Sequence, residues 1–198
     1  MSFYCELKNQ KVRISLIHHS ATPNGTSKMF IRILNDQVIA IQNYDGPKDF
    51  YHEVIKKKKN VIIAGATGSG KTTFVNSLIN LIPSDEHVII LEDTNELITP
   101  SQYTTKLLTD AKNEEKSMNS YLSYAMRMSP DRIILGEIRS KEAESSLLSM
   151  NTGHNGFIST LHANSAKDAI DRLCLLFKIY SNKDLSYELV LKLITTNI

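Results

Sequence analysis

From residue 60 onward the chain repeats one pattern: a short apolar run, a polar break, then a stretch whose apolar residues recur at spacings of three and four. The apolar runs fall at 61–64, 88–91, 133–136 and 157–161. Each is short and nearly continuous rather than alternating, the signature of strands buried on both faces of a parallel sheet. The helical stretches fall at 71–82, 118–128, 141–150 and 166–178. In the last, Ile170, Leu173, Cys174 and Phe177 share one face, and Ser165 with Asp168 predicts its N-terminal cap. Alternating strands and helices predict an α/β fold with a mostly parallel sheet. The polar, weakly patterned segment 99–116 reads as a long connection.

The first forty residues follow another rule. Val12, Ile14 and Leu16 alternate with Lys11, Arg13 and Ser15, and Phe30-Ile31-Arg32-Ile33 follows the turn signal Pro23-Asn24-Gly25. These predict antiparallel strands. A helix-like segment from Phe50 to Ile55 then runs into Lys56-Lys57-Lys58-Lys59. The expected organisation is a partial N-terminal α+β sheet domain over 1–42, a linker over 43–59 and the parallel α/β domain over 60–198.

Composition narrows the function. With 41% hydrophobic and 22% charged residues, the chain is an ordinary folded one. Its 23 basic residues against 21 acidic ones disfavour direct nucleic-acid binding, which calls for a strongly basic surface. Cys5 and Cys174 stand far apart without His or Cys at ligand spacing, so neither a disulfide framework nor a zinc site is expected, and a reducing cytoplasm fits. No apolar stretch approaches the length of a membrane span, and the first ten residues lack a signal peptide's layout. Membrane contact is therefore expected to be peripheral; Lys56–Lys59 either touches anionic lipid or forms a solvated face.

The chemistry centres on Gly65-Ala66-Thr67-Gly68-Ser69-Gly70-Lys71-Thr72, which fits G-x-x-x-x-G-K-[ST] and follows the apolar run Val61-Ile62-Ile63-Ala64. Such a loop curls its amides toward phosphate oxygens at the start of a helix, whose dipole favours the anion. Together with Thr73, these residues form the candidate nucleotide-binding set. Lys71 reaches the β- and γ-phosphates, and the Thr72 hydroxyl faces Mg²⁺, so ATP and Mg²⁺ are the expected cofactors. Ligands of open α/β sheets bind beyond the carboxyl ends of the strands, which directs attention to Glu92, Asp93 and Glu96 after the second run, Glu137 after the third and His162 after the fourth. Carboxylates there can orient water or hold hydrated magnesium; acids at strand ends also cap helices or sit solvated, and a lone strand-end histidine is also a common structural residue. A small nucleotide kinase or GTPase would share the phosphate loop, but no N-K-x-D motif is present.

GATGSGKT, LEDTNEL, MSPDRIILGEIR and TGHNGFISTLHANS together resemble, in order and spacing, the signature boxes of the type II/type IV secretion ATPase superfamily, and the wording of STLHANS and SPDRIILGEIRSKEA is most similar to the type IV secretion branch. The resemblance implies a RecA-like P-loop NTPase core, preceded by the N-terminal sheet domain and assembled as a homo-hexamer with other secretion-system subunits at the cytoplasmic face of the bacterial inner membrane. It implies an ATP-hydrolysing motor that powers pilus assembly or export of protein or DNA. By motif, Lys71 and Thr72 take the Walker A roles, Glu96 activates the attacking water, and Glu92 and Asp93 support the metal shell. Glu137 matches the Walker B glutamate, which is also a metal residue partly through water, and His162 matches the γ-phosphate sensor. Arg127, Arg132 and Arg139 fall on family arginine positions, some of which complete a neighbouring subunit's site, and Arg32 in MFIRIL and Lys11 in KVRISL resemble the nucleotide-clamping residues of the N-terminal domain. Ser129 stands where relatives place an arginine, and both ends fall short of the family's usual extent. A shortened, non-hydrolysing assembly subunit and a type II secretion or pilus ATPase are the alternatives.

Overall fold

The computed structural model describes residues 2–8, 10–34, 37–110, 112–181 and 183–198, with backbone alone for residues 2–4. Contacts divide the chain into two units, 1–37 and 38–198.

The first unit is a three-stranded antiparallel sheet of β1 (Ser2–Leu7), β2 (Gln10–Ile17) and β3 (Lys28–Ile33), in that order. The alternation on β2 sets its faces: Val12 and Ile14 are buried, while Lys11, Arg13 and Ser15 are half-buried on the other side. Arg32 on β3 is exposed and lies directly across from Arg13.

The second unit begins with a 3-10 turn at Ile41–Asn43 and α1 (Lys48–Lys56). Residues 43–59, expected as a linker, therefore carry a helix whose Ile55 is 1% exposed and packs with Ile41 against the sheet. The sheet itself contains β4 (Val61–Gly65), β5 (His87–Glu92), β6 (Tyr103–Leu108), β7 (Arg132–Ile138) and β8 (Ile158–His162), all parallel, in the order β4-β8-β7-β5-β6. Its helices are α2 (Lys71–Ile79), α3 (Met118–Ala125), α4 (Glu142–Asn151), α5 (Ala166–Tyr180) and α6 (Tyr187–Asn197). Val88 and Ile90 join Val75, Leu78 and Ile79 of α2 on one face. Ile89 and Leu91 face the opposite cluster, which holds Leu122, Leu147, Leu173 and Ile194 from α3 to α6. This double burial is why the strands read as continuous apolar runs.

The expected α/β fold is the one observed, with two differences in detail. The segment 99–116 contains β6, an edge strand whose sequence YTTKLL is polar because it has one strand neighbour and lies half in solvent. Beyond the last expected helix lies α6, where Leu189-Val190-Leu191 and Leu193-Ile194 blur the helical period; Ser186 caps it by accepting from the Leu189 N–H. The cap expected for α5 is present, with Ser165 accepting from the Asp168 N–H at 3.0 Å. No helix among the described residues is long and apolar enough to cross a membrane.

Candidate nucleotide site at the carboxyl ends of the strands

The strand order places four chemical groups side by side. β4 ends at Gly65 and leads into the phosphate loop; its neighbour β8 ends at His162, in register with Gly65. β7 comes next and carries Glu137, and β5 follows, ending at Glu92.

The loop is built for close backbone approach. A Cβ on Gly65 would lie 2.5 Å from Ser69 Oγ, so a larger residue would push into the curl. Gly70, at φ 88°, turns the chain into α2 and supplies no side-chain cap. The first-turn amides of α2, at Lys71, Thr72 and Thr73, thus begin a helix that no cap side chain closes, as an anion site requires. The cradle therefore fits a phosphate. Lys71 Nζ donates to the carbonyls of Gly65 (2.9 Å) and Ala66 (2.8 Å), and Thr72 and Thr73 are half-buried beside it.

From Lys71 a line of polar contacts crosses the sheet. Lys71 Nζ is 3.3 Å from His162 Nδ1, and His162 Nε2 is 3.1 Å from Glu137 Oε1. Arg139 then bridges two carboxylates: Nη2 donates to Glu137 Oε2 at 2.6 Å and Nη1 to Asp93 Oδ2 at 2.9 Å. The hydrogen bond to Glu137, reinforced by the charges of Asp93 and Glu137, holds the guanidinium above its ordinary pKa. Arg139 is itself fixed by Glu142, 5% exposed, whose carboxylate accepts from the Arg139 and Ser140 N–H groups and from Ser140 Oγ. Between β7 and β8 the register shifts at Leu135/Ile138, and Thr160 Oγ1 donates to the Gly136 carbonyl at 2.8 Å. Position 136 is tight, because a Cβ there would stand 3.3 Å from Glu92 Cβ.

Glu92 faces inward. Its Oε2 accepts the N–H groups of Glu96 and Leu97, both at 2.9 Å, closing its own loop, and Lys106 Nζ on β6 lies 3.7 Å from Oε1. Burial pushes the Glu92 carboxyl above its ordinary pKa; the two N–H donors and Lys106 oppose that shift and the Glu96 charge adds to it. The structure thus joins Lys71, His162, Glu137 and Asp93 in one network and sets Glu92 to holding the loop that carries half-buried Glu96.

The three arginines separate. Arg139 joins the site and Arg127 is exposed after α3, but Arg132 lies at the opposite end of β7. There it is 1% exposed, bound to Glu86 through Nε (2.5 Å) and Nη2 (3.2 Å) and to the Ile55 carbonyl at 2.8 Å. It is a structural residue, turned away from any site at the carboxyl ends. Ser129 is exposed in the preceding turn with a positive φ of 50°. Sequence reasoning also missed Asn76, Lys106 and Glu142. The signal for Asn76 was a polar residue inside the apolar helix FVNSLI.

The family profile for type II/IV secretion system proteins matches residues 2–195. The type IV secretion system protein VirB11 of Bartonella henselae is 39% identical over 132 residues, covering 65% of this chain and 37% of that protein, so the chain spans well under half of that relative's length. The crystal structure of the VirB11 ATPase of the Brucella suis type IV secretion system, in complex with sulphate, superposes with a TM-score of 0.72 at 24% identity, covering 100% of this chain and 66% of that one. The pilus retraction motor PilT with bound ADP gives 0.76 at 24% identity, covering 100% and 56%. At that identity the two structures speak for the fold, and the profile speaks for the lineage. On the match over residues 2–195, the chain belongs to the type II/IV secretion system protein family.

Proposed function

We propose that the chain binds and hydrolyses ATP with Mg²⁺ as a motor subunit of a type IV secretion machine. One observation carries the reading: the line of contacts from Lys71 through His162 and Glu137 to Arg139 and Asp93, beyond the carboxyl ends of parallel strands. Two structures that share this fold hold anionic ligands, sulphate in one and ADP in the other, which is consistent with an anion here.

Lys71 and the first-turn amides of α2 hold the phosphates. Thr72, Asp93 and Glu137 hold magnesium, partly through water; when bound, the ion draws negative charge off the phosphate oxygens. Glu92 keeps the loop closed, so that Glu96 accepts the proton of the attacking water. His162 aligns Lys71 with Glu137, and Arg139 holds the Glu137 carboxylate in place by donating to its Oε2. The working form is a homo-hexamer among other secretion-system subunits, peripheral at the cytoplasmic face of the inner membrane, without direct contact to nucleic acid.

A pilus motor is the second reading, favoured by the higher TM-score of PilT; the 39% identity to a type IV secretion protein weighs more, because it reports sequence rather than shared fold.

The test is phosphate release measured beside molar mass by light scattering, for the wild type and Glu96→Gln with ATP and Mg²⁺. Turnover in a ring-sized species, lost in the variant, is the expected result. A chain that binds ATP and releases no phosphate in any oligomeric state overturns the motor reading.

A further inference from the structure

Asparagine is a poor helix former, because its amide competes with the backbone for hydrogen bonds; one in the interior of a short apolar helix needs a tertiary reason. Asn76 sits inside α2, five residues after Lys71, which is about 7.5 Å along the axis. It is 5% exposed, and both ends of its amide are used. Nδ2 donates to the Glu96 carbonyl at 3.0 Å and Oδ1 accepts the Ile98 N–H at 2.9 Å. The pairing fixes the amide's orientation, since each end meets a backbone group of the opposite kind.

The loop it grips has a hold of its own. The Glu96 N–H reaches Glu92 Oε2 at 2.9 Å and the Thr94 carbonyl at 2.7 Å, and the Leu97 N–H reaches Glu92 Oε2. Lys106 donates to Asn95 Oδ1 and the Leu97 carbonyl from β6. These bonds all lie within β5, β6 and the connection that joins them, and so set the loop's shape. Asn76 adds a different constraint: it brackets Leu97 from both sides and ties residues 96–98 to the helix that begins with the phosphate-binding lysine.

We propose that Asn76 is a positioning residue for hydrolysis, holding the Glu96 loop in fixed register with Lys71 and Thr72. The inference rests on the role assigned above to Glu96. A carboxylate of the same shape keeps the acceptor for Ile98 but has no proton for the Glu96 carbonyl, and it adds a negative charge near buried Glu92. Leucine keeps the bulk and loses both bonds. Neither change alters the groups that hold phosphate, so the damage falls on the chemical step rather than on binding.

The experiment measures steady-state phosphate release and, separately, the Kd of a fluorescent ADP analogue, for the wild type, Asn76→Leu, Asn76→Asp, Glu96→Gln and the pair Asn76→Leu/Glu96→Gln. Amide exchange at residues 96–98 is followed in each. The expected result is a fall in kcat of about tenfold or more in both Asn76 variants, with Kd changed by less than about threefold. Exchange at Ile98 quickens while that of β5 holds, and the double variant is no slower than Glu96→Gln alone, because Asn76 acts through Glu96. If Asn76→Leu does not fold, Asn76→Asp carries the same comparison. Wild-type kcat in the folded Asn76 variants, beside an inactive Glu96→Gln, overturns this inference and leaves the motor reading standing. An inert wild type, or Glu96→Gln with full turnover, overturns both.

Discussion

Two clusters of charge occupy opposite ends of the same sheet, one holding the arginine that opens β7 and the other the arginine that directly follows it. At its start, Arg132 is 1% exposed and forked onto Glu86, with the Ile55 carbonyl as a further acceptor. At its far end, the Arg139 side chain is 55% exposed and shared between Glu137 and Asp93, in a line that continues to His162 and Lys71. The first cluster has little solvent to exchange with and joins α1, β5 and β7 as a clasp. The second combines cations and carboxylates in contacts that can rearrange around a ligand. The same residue types thus serve stability at one end and, in the function proposed, chemistry at the other; burial and the open helix start beside Lys71 separate them.

The largest effect that separates the ends is on rate. Glu137→Gln removes a carboxylate that His162 and Arg139 both contact, and phosphate release should fall about a hundredfold or more while the melting temperature changes little. Unchanged turnover would move the chemistry away from this end.

Next comes the paired substitution of the two arginines. Arg132→Leu removes the buried fork on Glu86, leaving Lys58 at 3.7 Å as its cation, and should cost about 3 kcal/mol, lowering Tm by roughly 6–12 °C with nucleotide affinity unchanged. Arg139→Leu should cost less than about 1 kcal/mol, because an exposed pair is screened by solvent, and should affect turnover instead. A reversal of the two patterns in melting curves and phosphate assays would contradict the comparison.

The smallest effect is a pH dependence. Burial raises the Glu92 pKa above its ordinary 4.5, so the folded state binds that proton more tightly than the unfolded state. The resulting contribution to stability is full below the unfolded value and is lost as pH rises through the folded one. Denaturation of Glu92→Gln beside the wild type should therefore show the difference shifting in the variant's favour as pH rises above the ordinary 4.5. A difference independent of pH would mean that burial does not dominate at Glu92.

How far the sequence revealed this arrangement depended on where each signal lived. The central strands were legible because Val88 to Leu91 is buried on both faces, and the phosphate loop because its glycines and lysine are fixed by local geometry. β6 was not, since an edge strand with Tyr103, Thr104 and Thr105 lacks the apolar run that marks its neighbours. At the site, Lys71 could be chosen by its loop motif and Glu137 and His162 by their places at strand ends, but the inward turn of Glu92 could not: it depends on the path of the 92–97 loop and on Lys106 from a strand that the pattern did not disclose. Arg132 and Arg139 look alike in MSPDRIILGEIR; only the strand between them, with its two ends on opposite sides of the sheet, tells them apart.

The most direct test of the central claim, that nucleotide chemistry belongs to the carboxyl end of the sheet, is titration calorimetry of ATP with Mg²⁺ into the wild type and Lys71→Ala. The account predicts saturable binding to the wild type and affinity lower by at least about tenfold in the variant, a difference of roughly 1.4 kcal/mol. Equal affinity in the two proteins, or no binding to the wild type, would contradict it.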